Sequence, residues 1–130
     1  MLARYRMYRG KRPPADPLPR GTRMDTRWHT SHPLRPTEEL ATQYLAAPGD
    51  KTWRAFRTAY LALLKQRFRA DRAAFDELAR QAREADVFLG CSCPTQKNPR
   101  VDRCHTYVAL QFMQRTYPDL QVEFPPLPKA

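Results

Sequence analysis

The sequence lacks a long hydrophobic run, since no window reaches the ~18 consecutive apolar residues that a membrane-spanning helix needs. The basic first residues have no apolar stretch behind them, so we do not expect a secretory signal. Glycine is scarce, with 4 residues in 130, which excludes a collagen-like repeat. We therefore expect a protein that does not associate with a membrane.

Cysteine is also scarce, and its number is odd. All 3 cysteines lie between positions 91 and 104, which excludes a disulfide-rich scaffold. The odd count favours free thiols in a reducing compartment, although one pair, Cys91–Cys93 or Cys93–Cys104, stays open. We expect a cytoplasmic protein.

Acidic residues are few, and the resulting charge is uneven. The chain has 23 Lys and Arg against 13 Asp and Glu, a net charge of +10. Residues 1–35 hold nine of the basic residues and two of the acidic ones, so this quarter carries +7. The remaining residues, 36–130, resemble an ordinary globular sequence. The apolar fraction of the whole chain, 42%, is enough to form a core. We predict a single domain over residues 1–130.

The order of local patterns predicts an α/β fold. Alternating apolar residues predict a strand at 1–8, and a second short strand is expected at 22–28. Between them, the basic stretch 10–21 contains four prolines and predicts an exposed loop. Thr37 followed by two glutamates predicts the start of a helix. Apolar spacing over 50–83 predicts either one kinked helix or two, with Trp53, Phe56 and Tyr60 in the core.

The last third of the chain completes this prediction. A continuous apolar run predicts a buried strand at 86–92, and a helix is expected over 103–117. An edge strand is expected at 120–124, before a proline-rich tail at 125–130. We predict a short, mostly parallel sheet flanked by helices, a three-layer α/β/α-like arrangement.

One segment carries residues suited to chemistry. Strand 86–92 ends at the cysteines, and Cys104-His105 opens the next helix. In open α/β sheets, ligands bind at the carboxyl ends of strands and near helix N-termini. The leading hypothesis is a pocket for a small anionic or nucleotide-like ligand at the end of strand 86–92. Its wall would contain Cys93, Cys104 and His105, and its anion-binding side chains would be Arg100, Arg103, Arg27 and His29.

Other interpretations of the same segment stay open. Cys93 or Cys104 is a candidate catalytic nucleophile beside His105. Cys91, Cys93, Cys104 and His105 have the number of ligands that zinc needs, but the spacing C-x-C-x10-C-H differs from standard zinc motifs, so no cofactor is assigned. The same residues are equally compatible with a purely structural role. The sequence leaves open whether the chain is an enzyme.

A second functional class comes from the basic first quarter of the chain. Arg4 and Arg6 share one face of the predicted first strand, with Tyr8 alongside. Arginines and an aromatic ring on a strand can hold phosphates and stack a base. The alternative function is therefore a non-catalytic protein that associates with nucleic acid.

The segment from Leu89 to Cys93 and the Cys104-His105 pair resemble the YeaO-like domains of unknown function, the family numbered 488. The helix containing Trp53, Phe56 and Tyr60 and the pair Thr26-Arg27 are similar to elements of that family. The resemblance implies a small α/β domain, bacterial and cytosolic, without an established activity. Thr106 departs from the family pattern, which usually has Arg after Cys-His.

Overall fold

The computed structural model describes residues 1–127. It contains a three-stranded parallel sheet built from β1 (Leu2–Arg6), β2 (Thr22–Asp25) and β3 (Val87–Cys91). The strand order is β1-β3-β2, which places the apolar β3 in the centre. The α/β class and the parallel sheet are confirmed. Both flanking strands are in register with β3, so all three strands end at the edge of the sheet where β3 reaches its cysteine.

Three helices connect β2 to β3. Helix α1 (Glu38–Ala46) begins as expected, with the Thr37 hydroxyl accepting a hydrogen bond from the Leu40 N–H at 3.1 Å. The long helical stretch is two helices, α2 (Asp50–Ala70) and α3 (Arg72–Glu84). Asp71 separates them, because its side chain accepts from the Ala74 N–H at 3.3 Å and caps α3.

After β3, a loop and a single 3-10 turn (Val101–Arg103) lead into α4 (His105–Thr116). The helix predicted over 103–117 starts two residues later in the structure, at His105. Cys104 is extended (φ −115°, ψ 147°) and is the N-cap. The predicted edge strand at 120–124 is wrong. Only one bridge, between Leu2 and Val122, forms there, and two prolines then prevent further pairing.

The core lies between the sheet and the helices. Helix α4 packs against β1 and β3, and α2 packs against α4. The predicted aromatic stripe of α2 is largely core, since Phe56 and Tyr60 are buried, but Trp53 is only partly buried. Other fully buried side chains include Leu34, Leu64, Phe75, Val87, Leu89, Val108, Leu110 and Met113.

The basic loop before β2 is held by polar contacts, and Arg12 joins it to β1 by donating to the Arg6 carbonyl. Arg12 forms an ion pair with Asp16 at 3.2 Å, and the Tyr8 hydroxyl donates to the same carboxylate at 2.8 Å. Of the proline-rich tail predicted at 125–130, residues 125–127 are neither helix nor strand, and 128–130 lie outside the described residues. None of the helices in residues 1–127 is long and apolar enough to cross a bilayer.

Candidate functional site

The three cysteines converge at the carboxyl end of β3. Cys91 ends this strand, Cys93 follows in the loop, and Cys104 caps α4, so chain segments on either side of the loop bring the thiols together. The three Sγ atoms all lie within 4.8 Å of one another. All three are free thiols, with Cys91 and Cys104 buried and Cys93 partly exposed. This cluster contains the cysteines that sequence analysis selected.

The His105 ring joins the cluster in a defined orientation. Its Nδ1 lies 3.8 Å from the Cys91 sulfur and 3.9 Å from the Cys104 sulfur. Its Nε2 lies 2.9 Å from the hydroxyl of Thr26, which donates its own proton to the Gly90 carbonyl at 2.9 Å. Because a hydroxyl has one proton, Thr26 accepts from Nε2–H, and Nδ1 faces the sulfurs.

Cys104 receives a second set of polar contacts from the opposite side. The Thr106 hydroxyl donates to the Cys104 sulfur at 3.1 Å and accepts from Arg4 Nε at 2.9 Å. Arg4 Nη2 also donates to the Cys93 carbonyl at 2.6 Å. A guanidinium charge therefore lies one hydroxyl away from the Cys104 sulfur, where it stabilises negative charge.

The Cys93 sulfur, which lies in the loop, also accepts a hydrogen bond. The side-chain amide of Asn98 donates to the Cys93 sulfur at 3.3 Å and to the Arg103 carbonyl at 2.9 Å. Asn98 is buried, although it lies in a loop between Lys97 and Pro99. The Asn98 side chain thus connects the loop to Arg103, the residue before the N-cap of α4.

The three thiols ionise unequally because they share hydrogen bonds. Burial opposes ionisation of Cys104, but hydrogen bonds from Cys91 and Cys93 lower its pKa well below the usual value. Hydrogen bonding to Cys104, then to Cys93, together with burial raises the pKa of Cys91 well above the usual value. Hydrogen bonding to Cys104 raises the pKa of Cys93 to about 12. The cluster therefore favours one thiolate, at Cys104, supported by two thiols.

An open cleft of about 370 Å³ leads to the thiols. Its floor contains the three cysteines and His105. Its walls are largely aromatic, formed by Trp28, Tyr44, Trp53 and Phe56. The volume is within the range of small-molecule sites. Trp28 beside His29 suits a pocket wall already from the sequence, but the α2 part of the lining was missed, because the spacing of the α2 stripe is the same for a core face and for a cleft wall.

The basic N-terminal quarter contributes to this cleft through Arg27 and His29. Arg27 forms a two-point ion pair with Asp25, at 2.8 and 3.0 Å. The His29 ring lies 3.8 Å from the same carboxylate. The side-chain hydrogen bond from Arg27 lowers the pKa of Asp25. Arg27 and His29, two of the four predicted anion-binding side chains, thus line the cleft, and both lie beside the carboxylate of Asp25.

The other two predicted anion-binding arginines lie in different places. Arg103 lines the cleft and pairs with Asp50, whereas Arg100 pairs with Asp102 at 2.7 Å and is not among the lining residues. Arg9, which sequence analysis did not select, also lines the cleft. It is exposed and makes no ion pair or side-chain hydrogen bond with residues 1–127.

Arg4, Arg6 and Tyr8, the residues of the nucleic-acid alternative, line one open depression on the surface. Arg4 points to the cysteine cluster, as described above, and is half-buried. Arg6 lies with its guanidinium carbon 4.4 Å from the centre of the Tyr8 ring. Binding of nucleic acid by this surface stays a prediction, and Arg4 has a second role because it donates to Thr106 and to the Cys93 carbonyl.

Comparison with known proteins gives one match. A family model described as the Active DUF488-N3 subclade matches residues 6–116. No curated protein and no solved structure is similar enough to the chain to match. The matched range contains β2, β3, every helix and the whole Cys/His cluster. The chain belongs to the DUF488 family of domains of unknown function, as the resemblance to YeaO-like domains predicted.

Proposed function

We infer that the cleft binds a small nucleotide-like ligand, with an aromatic ring held between its walls and an anionic group at its rim. One observation carries this proposal: aromatic side chains and unneutralised positive charge border the same opening above the Cys/His cluster. An apolar cleft with a few polar groups is typical of small-ligand sites.

The aromatic wall suits a planar ring. Trp53 stacks on Phe56 with ring centres 5.3 Å apart and planes 16° from parallel. Tyr44 packs its edge against Trp53 at 5.5 Å, which fixes the indole in place. Trp28 is 43% exposed on another part of the lining. Stacking of a base on such side chains contributes about 1–3 kcal/mol.

The rim suits a phosphate or carboxylate. Arg9 is the lining arginine whose charge is not offset by a carboxylate of residues 1–127. Arg27 and Arg103 are each paired with an acidic residue, but a guanidinium has five N–H donors and keeps some of them free. We therefore assign the main anion contact to Arg9, with Arg27, Arg103 and His29 as additional contacts.

The thiols form the floor against which the ligand would rest. Cys93, Cys104 and His105 are the side chains that could act as nucleophile and base. We propose that they contact the ligand, and we assign them no reaction. Free thiols persist in a reducing environment, so we also propose that the protein works in the cytoplasm.

Intrinsic fluorescence provides a direct test, because both tryptophans of the chain line the cleft. We expect a nucleoside 5′-monophosphate to change this fluorescence saturably. The nucleoside without phosphate should bind more weakly, and inorganic phosphate alone should bind more weakly still. Equal fluorescence titrations for the phosphorylated and unphosphorylated ligands, or no saturable change, would contradict the proposal.

Two arginines of the same basic segment give a matched pair of variants. Arg9→Ala should weaken binding of the monophosphate about 10- to 150-fold, since a hydrogen bond to a charged group contributes about 1.5–3 kcal/mol. It should leave binding of the nucleoside unchanged. Arg20→Ala removes the same charge from an exposed position outside the cleft and should have little effect on either ligand.

A further inference from the structure

We propose that the sulfurs of Cys91, Cys93 and Cys104 and the Nδ1 atom of His105 bind one zinc ion at the floor of the cleft. This inference does not depend on the proposed ligand. It rests on the convergence of the four side chains and on the hydrogen bonds that orient them.

The spacing of the atoms matches a tetrahedral centre. Zinc bond lengths of about 2.3 Å to sulfur and 2.0–2.1 Å to nitrogen imply sulfur–nitrogen separations of about 3.6 Å and sulfur–sulfur separations of about 3.8 Å. The two measured distances from His105 Nδ1 to sulfur are 3.8 and 3.9 Å. The three sulfurs lie within 4.8 Å of one another, so side-chain shifts of about 1 Å bring them around an ion. His105 Nδ1 is near Cys91 and Cys104 and lies farther from Cys93, so the Cys93 side chain in the loop has the longest way to move.

The histidine has the orientation that a ligand requires. Metal-binding histidines usually donate the N–H of their second ring nitrogen to an oxygen, which fixes the ring and exposes the other lone pair. Here Nε2 is held at 2.9 Å from the Thr26 hydroxyl, and Thr26 is itself held by the Gly90 carbonyl. The lone pair on Nδ1 therefore faces the sulfurs before any ion binds.

Two of the sulfurs already accept hydrogen bonds. Cys93 accepts from the Asn98 amide at 3.3 Å and Cys104 from the Thr106 hydroxyl at 3.1 Å. Donors of this kind around ligating atoms tune and position a metal centre. Three thiolates and one divalent cation carry a net charge of −1, and the guanidinium of Arg4 lies close enough to offset it.

The chemistry of the ligands favours a soft or borderline ion. Three sulfur ligands and an imidazole select zinc rather than magnesium or calcium, which prefer oxygen. In residues 1–127 the three cysteines are the one group of three or more closely spaced Cys, His, Asp or Glu side chains. We therefore expect a stoichiometry of one ion per chain.

Cobalt(II) in place of zinc gives a spectroscopic test on the full chain. The protein would be stripped with a chelator, kept reduced with a phosphine, and titrated with Co²⁺ alone. We expect thiolate-to-cobalt charge transfer and the visible bands of tetrahedral Co²⁺, saturating at one equivalent and removed by one equivalent of Zn²⁺. Since the chain has only three cysteines, any such band comes from this cluster.

Variants separate the ligands from their surroundings. His105→Gln should change the visible bands and lower the affinity, whereas the control His29→Gln should change neither. Thr26→Val keeps all four ligands and should lower Co²⁺ affinity about 10- to 100-fold. The wild-type spectrum provides the decisive readout even if a ligand variant fails to fold.

Two results would overturn the proposal. The first is a folded, fully reduced protein with three titratable thiols that gives no cobalt–thiolate band. The second is a spectrum that His105→Gln leaves unchanged, which would remove the histidine from the shell. Nucleotide binding by the stripped protein is measured separately through tryptophan fluorescence, so failure of the zinc site and failure of the ligand site are distinguishable.

Discussion

His32 lies in the segment between β2 and α1, largely buried and held in its neutral form. Its Nδ1 accepts a hydrogen bond from the backbone N–H of Leu34 at 3.1 Å, so Nδ1 carries no proton. Its Nε2 lies 3.3 Å from the sulfur of Met24. Burial, followed by the charges of His105 and Arg35 and opposed by Asp25, lowers the pKa of His32 to about 4.

This lowered pKa sets the sign and size of a stability effect. The unfolded chain binds a proton on His32 near pH 6.5, but the folded protein binds it only near pH 4. The free energy of unfolding is therefore highest above pH 6.5 and falls as the pH drops towards 4. A difference of about 2.5 pKa units corresponds to about 3 kcal/mol, at about 1.4 kcal/mol for each pH unit.

Urea unfolding between pH 7.5 and 4.5, with reductant and chelator present, tests this prediction. His32→Asn retains an acceptor for the backbone N–H but cannot titrate. The stability advantage of the wild type over this variant should shrink by about 2–3 kcal/mol across that range. The exposed His29→Asn serves as the control and should show no comparable trend. A wild-type advantage that stays constant with pH would refute the reasoning.

Five further substitutions test the packing of the fold by the same urea unfolding at pH 7.5. Leu89→Ala in the central strand should cost about 2–5 kcal/mol because the side chain is fully buried, whereas Leu18→Ala, at 52% exposed, should cost under about 0.5 kcal/mol. Gly10→Ala, at φ +85° in open space, should cost about 1–2 kcal/mol. Gly21→Ala should cost more, because its new Cβ would also lie 2.6 Å from a backbone carbonyl oxygen; equal costs for the two glycines would contradict this. Tyr60→Phe removes a buried hydroxyl that donates to a loop carbonyl and should cost about 1–2 kcal/mol, and an unchanged midpoint would show that the bond adds nothing.

The fold was largely predictable because its signals are local. Thr37 caps α1 through its own side chain, and the apolar run of β3 fits a strand buried at the centre of a parallel sheet. The end of the chain was predicted less well. Whether residues 120–124 continue a strand depends on tertiary pairing with β1, and only a single bridge to Leu2 forms.

The position of the site followed from topology, but its inner structure did not. A strand ending in cysteines and a helix opened by Cys104 and His105 must meet in a parallel fold. No sequence pattern shows that Arg4 turns inward, because a strand with period two puts it on a face without saying what covers that face. The role of Asn98 is equally hidden, since its partners are set by the loop rather than by spacing.

The first turn of α4 makes side-chain contacts to β1, to β3 and to the residue that follows β2. His105 contacts Thr26 just beyond β2 and Cys91 at the end of β3, while Thr106 contacts Arg4 in β1. This turn cannot move outward without breaking contacts at all three strands, so its amides should exchange with solvent as slowly as those of the sheet.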